Sequence, residues 1–280
     1  MFLSHGDDNL KTMFNRFAAA GLVLAAVAPV HAFAQSATDW QFQASVYAYL
    51  PTISGKSIFP PQSGGSSASV DIDAILEDLK FAFMGSFEAR RGQWGAFTDV
   101  IYMDIGDTNE QSRSLSLGRV AIPAGVNAKT TYDLKGWVWT LAGTYRAIAS
   151  REATLDVLAG ARMLDVRPKV NWELTGNVGP IALPDRSGNR EAKLQNWDAI
   201  VGVKGRVGLG QEGKWFVPYY LDVGTGESDF TWQAMGGVGY TFGWGDVVAA
   251  WRYTDYEMKS GDAVEELNFN GPAIAAVFRW

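Results

Sequence analysis

The stretch Trp40-Gln41-Phe42-Gln43-Ala44-Ser45-Val46-Tyr47-Ala48-Tyr49-Leu50 decides how the rest of the chain is read. Trp40, Phe42, Ala44, Val46, Ala48 and Leu50 share one side of a period-two pattern, and Gln41, Gln43 and Ser45 share the other. Successive side chains of a strand point to opposite faces, so this period predicts a β-strand with one apolar face. Nine further segments pass the same test. The second sets Leu79, Phe81, Phe83, Gly85, Phe87 and Ala89 against Lys80, Ser86, Glu88 and Arg90, and the third carries Trp94, Ala96, Val100 and Tyr102 on its apolar side. A fourth carries Trp137, Trp139, Leu141 and Tyr145; a fifth sets Leu155, Val157, Ala159, Ala161 and Met163 against Asp156, Gly160 and Arg162. The sixth opposes Trp197, Ala199, Val201, Val203 and Val207 to Asp198, Lys204 and Arg206, and the seventh opposes Trp215, Val217, Tyr219 and Leu221 to Tyr220 and Asp222. The eighth has Trp232, Ala234, Val238, Tyr240 and Phe242 against Thr231, Gln233 and Thr241. Val247, Ala249, Trp251 and Tyr253 face away from Arg252 and Thr254 in the ninth, as do Ile274, Ala276, Phe278 and Trp280 from Arg279 in the tenth.

The connections alternate in length. Residues 91–93, 149–152, 208–213 and 243–245 form short turns, whereas 51–78, 106–128 and 167–194 are long and rich in Gly, Ser, Pro and charge. The connections near 225–228 and 259–265 are shorter but fall on the long-loop side. Short turns at one end and long loops at the other, with an even strand count, are the signature of an antiparallel transmembrane β-barrel, whose short turns and termini lie on the periplasmic side. Ten strands is the count the segments give, with eight and twelve as alternatives.

A soluble β-sandwich also alternates, but its apolar face points into a core and need not carry aromatics at both strand ends. Here aromatics cluster at the ends. Trp40, Trp94, Tyr145, Trp215, Tyr240, Phe242, Phe278 and Trp280 mark a periplasmic rim, and Tyr102, Trp197, Trp232 and Tyr253 an outer rim. Two such girdles are expected where amphipathic rings meet lipid headgroups. Mean hydropathy near zero, −0.05, agrees with strands that average two unlike faces.

The N-terminus has secretory order. Lys11 and Arg16 precede an apolar run from Phe17 to Val30, followed by the small-x-small site Ala32-Phe33-Ala34. Residues 1–34 are therefore expected to be a cleaved signal peptide for Sec-type export, leaving an outer-membrane barrel of residues 35–280 in a Gram-negative bacterium; Met1 and Met13 are both possible starts. The run is too short to span a bilayer as a helix, which takes ~20 apolar residues. Both histidines, His5 and His31, lie in the removed segment, and the chain has no cysteine. The expected mature chain thus lacks Ser-His and Cys-His nucleophilic pairs and the usual zinc ligands, and no metal or cofactor is expected. A net charge of −6 with no basic cluster argues against nucleic acid as a partner.

On the inward faces the pattern puts Lys80, Glu88, Asp99, Asp156, Arg162, Asp198, Lys204, Arg206, Asp222 and Arg252. Opposite charges of this kind either fill a narrow lumen as a hydrogen-bonded plug or line a thin wet path. Asp71 to Leu79 departs from period two: Ile72, Ile75, Leu76 and Leu79 follow helical spacing, which predicts a short helix in the first outer loop, either a lid or a packing element.

The terminal Ala-Val-Phe-Arg-Trp resembles the last strand of bacterial outer-membrane proteins, which implies the barrel-assembly machinery as a partner. Residues 73–104, Asn196-Trp197-Asp198-Ala199-Ile200-Val201-Gly202 and Trp251-Arg252-Tyr253 resemble a group of small proteobacterial outer-membrane barrels without a firmly assigned activity. The likeness carries over no catalytic residue. The functional expectation is a passive structural barrel or narrow pore in contact with outer-membrane lipid and lipopolysaccharide, its oligomeric state left open. The alternative is an outer-membrane enzyme or loop-borne binding module acting on lipid, lipopolysaccharide or peptide. Its acid-base groups would come from carboxylate pairs such as Asp71 with Asp73 or Asp104 with Asp107, which otherwise serve as solvated loop acids or ligands of a divalent cation.

Overall fold

The computed structural model describes residues 39–57, 66–70, 78–106, 126–150, 152–178, 181–182, 186–191, 193–210, 213–259 and 264–280. The export segment, Asp71, Asp73, Asp107 and nearly all of the helix expected over 71–79 lie outside them; Leu79 itself opens a strand.

In chain order the strands are β1 (Trp40–Tyr49), β2 (Thr52–Ser57), β3 (Ser66–Val70), β4 (Leu79–Arg91), β5 (Trp94–Gly106), β6 (Val126–Ala149) and β7 (Ala153–Val178). They continue as β8 (Ile181–Ala182), β9 (Arg186–Glu191), β10 (Leu194–Leu209), β11 (Trp215–Gly226), β12 (Ser228–Thr241), β13 (Asp246–Met258) and β14 (Val264–Arg279). Among the described residues, ten of them form one antiparallel ring, β1-β4-β5-β6-β7-β10-β11-β12-β13-β14, closed by the pairing of β14 with β1. Each of the ten alternating segments in the sequence corresponds to one of these ten strands, with Leu50, Phe242 and Trp280 one residue beyond the ends of β1, β12 and β14.

Closure runs from Tyr49 opposite Ala273 down to Gln43 opposite Arg279. Two backbone bonds extend it to the last residue, Phe42 N to Trp280 O at 2.8 Å and Trp280 N to Phe42 O at 3.1 Å. At the short-turn end, β4 and β5 are joined through Gly92-Gln93, and Gly92 takes φ 62°, a left-handed conformation open to glycine without strain.

The side chains are sorted inside out. Val46, Val201 and Ile274 are 60 %, 57 % and 59 % exposed on the outer face, while Asp156, Asp198 and Arg162 are buried in the lumen. A soluble sandwich would bury the first set and solvate the second, so the exposed apolar face is that of a barrel that meets hydrocarbon. Tyr219 shows how the outer face stays smooth: its ring lies over Gly205 of the neighbouring strand and its hydroxyl donates to Thr154 O at 2.9 Å.

At the long-loop end the structure carries more strand than expected. Residues 106–128 and 167–194 were read as loops, yet β6 begins at Val126 and β7 continues to Val178, with β8 and β9 folded back onto it. The first long connection likewise holds the β2–β3 hairpin, which extends the sheet along β14. In β6 the signal is weak, since Lys129-Thr130-Thr131-Tyr132 carries β-forming residues with little apolar contrast, whereas in β7 Val170, Trp172 and Leu174 do alternate with Lys169, Asn171 and Glu173, a strand pattern masked by Pro168 and by the charge and glycine around it.

Charge on the outer face should be costly at mid-height. Val46→Arg is expected to lower folding stability in lipid vesicles by about 2 to 4 kcal/mol, with a smaller loss for an arginine at either aromatic rim. Urea titration of the heat-modifiable band measures it; equal losses at all three heights would contradict a lipid-facing surface.

Candidate functional site in the barrel lumen

The lumen is built in three layers, because the inward-facing position of each strand changes character along the axis. At the short-turn end, Glu88 of β4 accepts from Arg90 and, across the lumen, from Lys204 of β10. Asp156 of β7 is gripped by Arg146 of β6 through Nε and Nη2, the second bond 2.8 Å long, and lies 3.6 Å from Arg90. Asp246, at the start of β13, is paired with Arg279 of β14 and stands 3.7 Å from Arg206 of β10.

The middle layer is drier. Arg252 of β13 reaches Asp99 of β5 at 2.9 Å and donates to Gln233 Oε1 at 2.9 Å and Tyr47 Oη at 3.2 Å; Tyr47 donates in turn to Asp99 at 2.7 Å. Arg162 of β7 pairs with Asp222 of β11, both side chains 0 % exposed, and its Nε approaches Thr140 Oγ1 at 3.4 Å. Asp198 accepts from the backbone N and hydroxyl of Ser228 at 2.8 and 2.9 Å.

Above these, the lumen turns apolar. Tyr49, Ile101, Met103, Ile105, Leu164 and Tyr256 pack into one buried cluster with Ile53, Met84, Met258 and Phe269. Its members come from β1, β4 and β5 on one wall and from β7 and β13 on others, so the cluster crosses the lumen. Arg252 marks the boundary: its carbonyl accepts from Tyr49 Oη at 3.1 Å and its guanidinium lies 5.6 Å from the Tyr49 ring centre.

Of the ten lumen charges expected from the sequence, nine point into the barrel in these layers. Lys80 does not. The register of β4 slips between Leu79 and Phe81, and Lys80 pairs with Asp133 of β6 at 3.2 Å at the long-loop rim, away from the network. Asp104, considered with Asp107 as an acid-base pair, is bound to Lys135 at 3.0 Å on the same rim. Arg90, Arg146, Asp246, Arg279 and Tyr47 also belong to the lumen network and are not among the ten. Parity carried along the strands identifies them all: Arg146 follows Thr140, Ala142 and Thr144 on the inward side of β6, and the register shift comes only after it, between Arg146 and Ile148.

The aromatics gather in two bands. At the short-turn end, Trp94 packs on Tyr145 at 4.9 Å and Trp215 on Tyr240 at 4.9 Å, and Tyr240 continues to Phe242 at 4.7 Å. Trp244 links Phe242 to Phe278, and Phe42 links Trp40 to Trp280. Toward the long loops, Tyr102 meets Trp137 at 4.4 Å, Trp139 meets Trp197 at 6.0 Å and Trp232 meets Tyr253 at 4.8 Å.

Breaking one buried pair should separate from replacing it. Arg162→Ala or Asp222→Ala leaves an uncompensated buried charge and is expected to cost about 3 to 5 kcal/mol. Among the described residues, Arg162 Nη1 and Tyr256 Oη are buried beside this pair without a hydrogen-bond partner, so the pair is a poor net stabiliser. The double variant Arg162→Met, Asp222→Leu should therefore unfold close to wild type in the same urea titration.

No protein-family model and no curated protein sequence matches the chain. Solved structures similar to it are outer-membrane β-barrels. The outer membrane protease OmpT from Escherichia coli has a TM-score of 0.49 at 10 % identity, covering 90 % of this chain and 99 % of its own. Ail, the attachment invasion locus protein of Yersinia pestis, has a TM-score of 0.31 at 12 % identity, covering 86 % and 98 %. The Pseudomonas putida toluene transporter TodX has a TM-score of 0.30 at 9 % identity, covering 86 % and 88 %.

Proposed function

We propose that the chain is a lumen-closed structural barrel of the outer membrane, exported by its N-terminal segment and inserted with its short turns toward the periplasm. The observation that carries this is the apolar cluster across the long-loop half of the lumen. Tyr49, Ile105, Leu164 and Tyr256 are each at most 2 % exposed, and a conducting path would need polar groups or water where they pack. Below them, charges are joined directly, Glu88 to Lys204 and Asp99 to Arg252 across the lumen and Arg162 to Asp222 over the intervening β10. Side chains that meet across a lumen hold its walls at a fixed separation, so both layers brace the barrel.

A closed lumen directs function to the ends. At the long-loop end, β6 and β7 pair up to Val126 opposite Gly176, beyond the last β5–β6 pair at Gly106 opposite Asp133. The wall there continues as a raised hairpin flanked by β9, with the β2–β3 hairpin on the β14 side. Such raised sheets are platforms for contact with the cell surface or with lipopolysaccharide, and the barrel is their rigid base.

Planar-bilayer recording tests this. The wild-type barrel should give no stable unitary current, whereas Ile105→Gly combined with Leu164→Gly should raise the leak by thinning the cluster. Stepwise, ion-selective conductance from the wild type would replace the closed barrel with a narrow pore.

A further inference from the structure

Below Arg252 the lumen opens into a cavity of about 220 Å3, several times the ~30 Å3 occupied by one water. Its charges do not balance. Glu88, Asp156 and Asp246 face five cations, Arg90, Arg146, Lys204, Arg206 and Arg279, while Asp99 and Arg252 above them cancel. Two positive charges are left over. One of the two sits at the mouth, where Arg206 and Arg279 share Asp246 with side chains 41 % and 39 % exposed; the other lies deeper, where Arg90, Arg146 and Lys204 surround the nearly sealed Glu88 and Asp156. Arg279 holds the carboxylate closely; Arg206 stays 3.7 Å away, its guanidinium 5.1 Å from the ring centre of Phe216.

Further in along the strands that carry Asp246 and Arg279, the wall is of another kind. Val248 and Ala250 of β13 with Ala273, Ala275 and Val277 of β14 offer an apolar surface continuous with Phe216. A ligand suited to both walls has a doubly charged oxyanion at one end and a small apolar body at the other.

We propose that this cavity binds a small organic anion of the phosphate-monoester type, its head between Arg206 and Arg279 and its apolar body along the β13–β14 wall. Guanidinium forks match the oxygens of a tetrahedral oxyanion and bind it more strongly than neutral donors do. A dianion balances the two surplus charges of the whole cavity, one at the mouth and one below it, and low-dielectric walls focus that field on the open end. The apolar cluster above makes the cavity blind, so the ligand enters and leaves by the short-turn end. That this end is periplasmic rests on the proposed membrane orientation; binding itself does not.

The test uses the folded barrel in a phosphate-free sugar detergent, where no membrane orientation is needed. Calorimetric titration with phenyl phosphate should show saturable binding, weakened about tenfold or more by Arg206→Gln and by Arg279→Gln, the loss expected for one charge-assisted contact. Arg206→Lys, which keeps charge but loses the fork, should fall between. Lys135→Gln, a cation of the far rim, should bind as wild type. Lysophosphatidic acid doped into the micelles supplies the same head on a lipid. If it alone binds, with the same dependence on Arg206 and Arg279, the source is a lipid headgroup and the site stands. Heat-modifiable migration verifies that each variant is folded, and both mouth arginines are partly exposed and tolerant of exchange. The proposal is overturned if neither probe binds, if Arg206→Gln and Arg279→Gln bind as tightly as wild type, or if Lys135→Gln weakens binding as much.

Discussion

Everything in this molecule depends on the pairing of its last strand with its first. A backbone exposed to hydrocarbon cannot leave amide and carbonyl groups unpaired, since each costs several kcal/mol, and a sheet satisfies that demand only by having no edge. Here the final backbone bonds are made by the two ends of the described chain, between Phe42 and Trp280. Once the ring is closed, the rest of the sorting is forced. Period-two alternation must then present one face to lipid and the other to a lumen, and the chain fills that lumen with side chains from all sides.

Ten strands give a narrow lumen, and the filling has a direction. The polar layers lie toward the short turns and the apolar cluster toward the long loops. Charges in the lower half are tolerable because every carboxylate has a cation: Glu88 bridges to Lys204 and Asp99 to Arg252 across the barrel, and Asp156 and Asp246 pair with Arg146 and Arg279 of adjacent strands, so desolvation is offset by a partner and by extra hydrogen bonds. Arg162 and Asp222 are the least offset, with orphaned polar atoms around them. Their value lies in fixing how β7 faces β11 more than in net stability, as one buried polar contact can select an arrangement without strengthening it.

Much of this was legible in the sequence, for a physical reason that also explains where legibility ended. Val46, Val201 and Ile274 alternate with polar neighbours because lipid and lumen demand opposite chemistry, and that contrast fixes strand identity, parity and pairing order. The signal fades where the contrast fades. At Val100-Ile101-Tyr102-Met103 both faces are apolar, and these residues mark the lumen's change from charge to an apolar cluster, which parity alone does not reveal. In the raised part of β6 the contrast is weak, and in β7 the alternation of Val170, Trp172 and Leu174 with Lys169, Asn171 and Glu173 is outweighed by Pro168 and the surrounding charge, so the sequence reads both as loop. Register shifts are a third limit. Lys80 was placed in the lumen by counting from Phe81, and one slipped residue moved it to the rim beside Asp133.

The axial division of the lumen governs what can pass through it. In a barrel whose outer face is apolar, a continuous polar core would hydrate along its length as neighbouring ion pairs exchange with water. Packing Ile105, Leu164 and Tyr256 to near-zero exposure removes the polar partners that water needs, so a dry section a few side chains deep suffices to seal the path. The lower half is then free to remain wet, charged and open at one end. A blind, basic vestibule is the geometric result of sealing a narrow barrel from one side only, and its surplus of cations is what distinguishes it from a mere remainder of packing.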